Sequence, residues 1–392
     1  MKYVDEFRDP EQAKQLVNKI NQLIEELRVD KKKPLQLMEF CGGHTHTIFR
    51  YGIEQMLPRE IELVHGPGCP VCVLPMGRVD DCVAIAEQDN VIFTTFGDAM
   101  RVPGSKKSLL QAKADGADIR MVYSPLDALG LARDNPEKEV VFFALGFETT
   151  LPSTALTVLQ AEQESIENFS LFCNHITTVP TIKAILDSPD MRLDGFLAPG
   201  HVSMVVGEHP FHFVSETYQK PIVITGFEPL DILQSIWMLL TQLVEQRVEV
   251  ENQYKRIVPK DGNAPGMQAL TDVFELREFF EWRGLGSIDH SGVKMRDAYS
   301  KYDAERKFAI PNLQIADPKS CQCGEVLKGA IRPWECKVFG SQCNPENPMG
   351  ALMVSTEGAC AAYYNFGNLD ELIKKRKLSE GVTAWQVRQR NR

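Results

Sequence analysis

The chain has 392 residues, enough for two or three domains with large cores. Its 43 Lys and Arg against 53 Asp and Glu leave a formal net charge of −10, which excludes a general nucleic-acid binder because such a protein needs a basic face. The opening MKYVDEFRDP lacks the apolar core of a signal peptide, and no run approaches the ~18 apolar residues of a membrane span, so a cytoplasmic protein is expected.

Residues 1–33 read as an N-terminal amphipathic helix, with Leu16, Ile20, Leu23, Ile24 and Leu27 recurring among charges. From Pro34 onward, short apolar runs end in glycine or polar turns and give way to helical patterns. LQLMEF, IELVHG, VIFTTFG and IRMVYS form a first series over residues 34–137. VVFFALG, LFCNH, GFLAPG and PIVITG form a second over 138–258, which closes on a long helix read from LDILQSIWMLL to YKRIV. Runs that are continuously apolar, each followed by a helix, predict parallel sheets covered on both faces. The expected fold is α/β, with two similar parallel-sheet domains dividing near Glu137. Residues 259–316 read as a helical connector, with MQALTDVFELREFFEW as a helix. Residues 317–368, rich in Cys, Gly and Pro, predict a small domain ordered by something other than an apolar core. The tail, 369–392, is mixed in charge and helix-like.

The unusual residues fall just after the strands: CGGHTH (41–46), HGPGCPVC (65–72), FGD (96–98), GFETT (146–150), CNH (173–175), PGHVS (199–203) and GFEP (226–229). In open α/β sheets the ligand crevice lies at the carboxyl ends of the strands. These loops are therefore expected to converge on one cleft between the halves.

Ten cysteines are many for a reducing compartment, where structural disulfides are rare, and their crowding points to metal or catalysis. Cys323, Cys336, Cys343 and Cys360 are separated by 12, 6 and 16 residues, without the two tight C-x-x-C pairs of a zinc ribbon. Irregular spacing among Gly and Pro turns suits an iron–sulfur cube, whose corners are approached from different directions. Zinc and plain buried thiols are the alternatives. Cys321 is a fifth thiol able to replace Cys323; the glycine after Cys323 favours the latter because it permits close backbone approach.

Together and in order, CGGHTH, GPGCPVCV, FGDAMRVPGS, GFETT, APGHVS, GFEPLDIL and MVSTEGACAAYY resemble the HypD family of hydrogenase maturation factors over nearly the whole chain. The resemblance implies a scaffold on which the Fe(CN)2CO group of nickel–iron hydrogenases is assembled. It implies a small chaperone partner, HypC, that shares the iron, and a second partner, HypE, that delivers cyanide from a thiocyanate on its C-terminal cysteine. It also implies a 4Fe–4S centre in the C-terminal domain, Cys41 as iron ligand, and Cys69 and Cys72 as the thiol pair beside it. Two departures stand out. Leu352 replaces a cysteine found in many members, so position 352 is not a required cluster ligand, and ITTVP (176–180) is an unusual version of the segment after CNH, which leaves the role of His175 open.

The residue chemistry is compatible with those roles. Cys41 ends a strand at a helix start, where the dipole and free N–H groups are expected to favour a thiolate, a soft ligand for low-spin iron. His44 and His46 are candidate proton donors or hydrogen-bonding neighbours, or else structural. Pro70 stiffens the Cys69–Cys72 turn, which suits a reversible disulfide carrying two electrons between the cluster and iron at Cys41; transient ligation of iron by both thiols is the alternative. Asp98, after a strand, is a candidate proton carrier, with helix capping the simpler role, and Glu357, beside Cys360, is a candidate to line a path between cluster and iron. His201 is a candidate cleft residue and Arg101 a candidate partner for an anionic ligand. GFETT lacks the lysine and spacing of a P-loop, so no nucleotide site is expected. The rival readings are a free-standing iron–sulfur dithiol oxidoreductase acting on a small substrate, and a zinc-stabilised interaction module.

Overall fold

Eight strands occur where the apolar runs predict them: β1 (Leu35–Glu39), β2 (Ile61–His65), β3 (Val91–Thr95), β4 (Ile119–Met121), β5 (Glu139–Gly146), β6 (Phe169–His175), β7 (Gly195–Pro199) and β8 (Ile222–Thr225). The structure is a computed structural model and describes residues 4–188, 191–310, 314–369, 371–374 and 376. Every residue of β2, β3 and β6 is buried, which is why these runs are largely apolar rather than alternating. The fold is α/β, built on two parallel sheets, with a cysteine-rich segment at the C-terminal end.

The two sheets do not divide at Glu137. One has the order β2-β1-β7-β8-β9, where β9 is Val250–Asn252, and the other β4-β3-β5-β6. The chain lays down β1 and β2, builds the whole second sheet, and returns at β7 to pair with the free edge of β1, Met38 opposite Phe196. Buried parallel strands of like composition offer no local signal for which partner each takes, so chain order alone suggests the wrong division.

Two helices are shorter than their apolar stripes suggest. The helix Pro229–Val244 stops at a turn in which Gln246 adopts a left-handed backbone, φ 53°. The following residues alternate in character and extend the first sheet as β9, against β8. The helix Ala264–Val273 likewise gives way to β10 (Phe274–Leu276) and β11 (Phe279–Trp282), which pair antiparallel with β13 (Val293–Met295) and β12 (Gly286–Asp289). Phe280 and Trp282 are buried while Phe279 is exposed, the period of two that a strand imposes. The 259–316 connector is thus part helix and part paired strand. Its last helix is tied to the second sheet by the buried Arg78, whose Nε donates to Asn174 Oδ1 at 2.6 Å and whose guanidinium pairs with Glu305, also held by Arg277 at 2.7 Å.

The N-terminal helix, Pro10–Leu27, starts where Asp9 accepts the N–H groups of Glu11 and Gln12, and it buries Ile20 and Ile24 against the helix Pro229–Val244. The cysteine-rich segment has only short helices, and it bridges both sheets. Arg332 pairs with Glu62, the Tyr363 hydroxyl donates to Glu54 at 2.8 Å, and the Ser355 hydroxyl donates to Asp98 at 3.2 Å. Among the described residues no helix is long and apolar enough to cross a membrane. The tail from Lys377 onward, read as helix-like, lies outside the described residues.

Candidate active-site cleft

Each sheet reverses its winding once: at β1 and β7 in the first, at β3 and β5 in the second. Such switch points leave a crevice beyond the strand ends, and here the two crevices open into one cleft of about 480 Å³. It is lined by Cys41 after β1, Cys69 after β2, Asp98 after β3, Tyr123 after β4, Gly146 to Thr150 after β5 (Glu148 excepted) and His201 after β7. Ser355 and Glu357 complete the wall from the C-terminal segment. The CNH and GFEP loops, expected in the same cleft, do not line it; His175 and Phe227 stand behind its walls. Arg101 lines a separate groove with Pro345 and Pro348.

Cys41 is the N-cap residue of the helix Gly42–Arg50, and its N–H donates to Glu39 Oε2 at 2.7 Å. Glu39, fully buried, also accepts the Thr45 hydroxyl and lies 2.9 Å from His65 Nδ1. Gly42 makes room for Glu357, since an added Cβ would stand 2.6 Å from its carboxylate oxygen; Gly43 does the same for the Phe227 ring. Burial pushes the Cys41 thiol well up, the charges of Glu39 and Glu357 push it further, and the N–H groups of Gly43 and His44 oppose this without overcoming it. The helix start therefore does not yield a free thiolate, contrary to expectation, because desolvation and two carboxylates outweigh the dipole. The same carboxylates favour a cation that would displace the proton. Glu357 itself is raised by burial and by the nearby Asp98 and Glu39.

His44 is fully buried, with Nε2 3.0 Å from the Thr225 carbonyl, and burial lowers its pKa. It does not line the cleft: Phe227 is stacked between it, at 4.7 Å, and His201, at 3.7 Å. The His46 ring makes a T-shaped contact with Phe366. Glu39 escaped the sequence reading. The signal available was an acidic residue at the end of an otherwise apolar, buried strand.

Cys69 and Cys72 form a disulfide, with Cα atoms 5.2 Å apart. Cys69 faces the cleft, whereas Cys72 faces the cysteine-rich segment, where a Cβ added to Gly358 would stand 3.0 Å from its sulfur. Gly358 is two residues from Cys360.

Cys321, Cys323, Cys336, Cys343 and Cys360 all line one small cavity. Cys321 Sγ lies 3.1 Å from Cys323 Sγ, and the Met349 N–H donates to Cys343 Sγ at 3.4 Å. A Cβ at Gly350 would stand 2.4 Å from Cys323 Sγ and 2.5 Å from Cys321 Sγ. Among the described residues no group of three or more His, Cys, Asp or Glu is arranged to hold a single metal ion. Convergent, mostly buried thiols on irregular turns fit a larger sulfur-bridged group. Leu352, at the position noted above, is buried in the same segment.

A family model, HypD, described as the hydrogenase formation hypA family, matches residues 11–367. The chain belongs to the HypD family. It is 57% identical over 371 residues to the hydrogenase maturation factor HypD of Rhodobacter capsulatus, covering 94% of this chain and 98% of that one. It is 53% identical over 366 residues to HypD of Escherichia coli (strain K12), covering 93% and 98%. HypD of Azotobacter vinelandii is 51% identical over 379 residues, covering 95% and 99%. The HypD match therefore spans the cleft loops and the cysteine-rich segment together.

Proposed function

We propose that this chain acts in hydrogenase maturation as a redox-active scaffold for the Fe(CN)2CO group. Cys41 holds the iron, shared with a thiolate of a HypC-type small chaperone, while a HypE-type partner donates cyanide. The observation that carries this reading is the shared cleft: Cys41, one end of the disulfide and Glu357 face the same space, and the other end of the disulfide abuts the segment bearing Cys360.

The iron is cargo, and the residues around it do the work. Cys41 gives up its proton when a cation arrives, and Glu357, raised by burial, is placed in the same cleft to take it. Reduction of the Cys69–Cys72 disulfide breaks the S–S bond, with each sulfur taking one electron and one proton. The disulfide favours this cycle over transient ligation of iron by both thiols, since an oxidised pair has no thiolate to offer. Cys323, Cys336, Cys343 and Cys360 would hold a 4Fe–4S cluster, which when bound supplies electrons singly to the adjacent disulfide.

The test is an infrared spectrum of anaerobically purified protein, co-expressed with the small chaperone. Cyanide and carbonyl stretching bands that vanish in Cys41→Ala are expected. A blank spectrum from protein with full iron and sulfide content would defeat the scaffold reading and leave a dithiol oxidoreductase in its place.

A further inference from the structure

Gly146 and His175 are register partners on the adjacent parallel strands β5 and β6. Thr150, four residues past Gly146, is the N-cap residue of the helix Leu151–Gln163. A threonine hydroxyl at that position ordinarily accepts an N–H of the first helical turn, but Thr150 makes no such bond. Its Oγ1 lies instead 3.0 Å from His175 Nε2 and 3.3 Å from the Phe147 carbonyl. The strand end is shaped for this approach. A Cβ at position 146 would stand 1.9 Å from Thr150 Oγ1 and 3.4 Å from His175 Cδ2, so a side chain there would drive the pair apart.

The tautomer of His175 follows from its surroundings. The ring is 1% exposed, and burial alone lowers its pKa to about 3, so it is neutral. Its Nδ1 has no hydrogen-bond partner among the described residues. A buried orphan N–H is rarer than a buried orphan acceptor. The proton therefore sits on Nε2, and the ring donates to Thr150. That turns the hydroxyl's own proton away from the ring, where the long contact to Phe147 holds it only weakly. Thr150 lines the same cleft as Cys41.

We propose that Thr150 donates a hydrogen bond to the nitrogen end of an iron-bound cyanide, and that His175 is the positioning residue that frees its proton to do so. The inference rests on the reading that Cys41 holds iron carrying diatomic ligands. A carbon-bound cyanide exposes a negatively charged nitrogen lone pair, whereas the oxygen of bound CO is a poor acceptor. A cleft hydroxyl with a weakly held proton thus distinguishes the two diatomics, and a charge-assisted bond of this kind is among the stronger ones a neutral donor makes.

The experiment compares infrared spectra of the full chain co-expressed with the small chaperone and purified anaerobically. The variants are Thr150→Ser, Thr150→Val, His175→Gln and His175→Leu, each checked for wild-type far-ultraviolet circular dichroism. Thr150→Val and His175→Leu are expected to displace or abolish one cyanide band with the carbonyl band nearly unmoved. Thr150→Ser and His175→Gln, which keep a donor in place, are expected to retain it. Wild-type cyanide bands that are unchanged in Thr150→Val overturn this inference alone. Absence of any cyanide or carbonyl band from the wild-type protein overturns the scaffold reading beneath it.

Discussion

The sulfur of Cys72 rests against Gly358, so closely that a Cβ on residue 358 would stand 3.0 Å from it and 2.4 Å from the Leu352 carbonyl oxygen. This contact joins the CPVC loop to the cysteine-rich segment. Gly358→Ala must shift backbone rather than a flexible side chain, and overpacking of that kind costs about 1–3 kcal/mol. Chemical denaturation is expected to show that loss. Wild-type stability in the variant would mean that the two segments are not packed as described.

The Cys41 thiol is held protonated by burial and by the charges of Glu39 and Glu357. Glu357→Gln removes one of those charges and keeps the shape, so the thiol pKa falls. At fixed pH the thiolate fraction rises, by about tenfold for each unit of lowering. Peptide mass spectrometry of metal-free protein treated with iodoacetamide is expected to show faster alkylation of Cys41 in the variant. An unchanged rate would show that Glu357 does not face this sulfur.

His175 supplies a pH dependence of stability. Its folded pKa, about 3, lies below the unfolded value of 6.5, so the unfolded chain takes up a proton first as the pH falls. Its contribution is complete above pH 6.5 and is lost progressively toward pH 3, about 2 kcal/mol of it between pH 7 and pH 5. Urea denaturation at those two pH values is expected to show a smaller loss in His175→Asn than in wild type. Equal losses would place the ring in solvent.

Cys323 is buried whereas Cys321 is partly exposed, although both approach Gly350. Cys323→Ser is expected to lower iron and acid-labile sulfide sharply in anaerobically reconstituted protein, and Cys321→Ser to leave both near wild type. The reverse pattern would assign the ligand to Cys321.

The strands were legible because burial on both faces writes continuous apolar runs, and the cleft loops because strand ends in such sheets gather ligands. Cys41, Cys69, Asp98 and His201 reach the cleft as their positions after strands suggest, and Glu357 joins them from the C-terminal segment. His44 does not, because helix pitch turns it inward beneath Phe227. Nor did composition reveal where the helix Pro229–Val244 stops: its apolar stripe runs into the alternating residues of β9 without a proline or glycine to mark the change.

Local chemistry alone determined the class of fold, the strand positions and the crowding of thiols at the C-terminal end, since each depends on a residue and its near neighbours. Only the tertiary structure decided how the sheets interleave, because pairing among equally apolar strands is settled by long-range packing. It alone also decided that Cys41 sits protonated among carboxylates 2 and 316 residues away in sequence, at Glu39 and Glu357. A pKa depends on distances through space, and those distances exist only once the chain has closed the cleft.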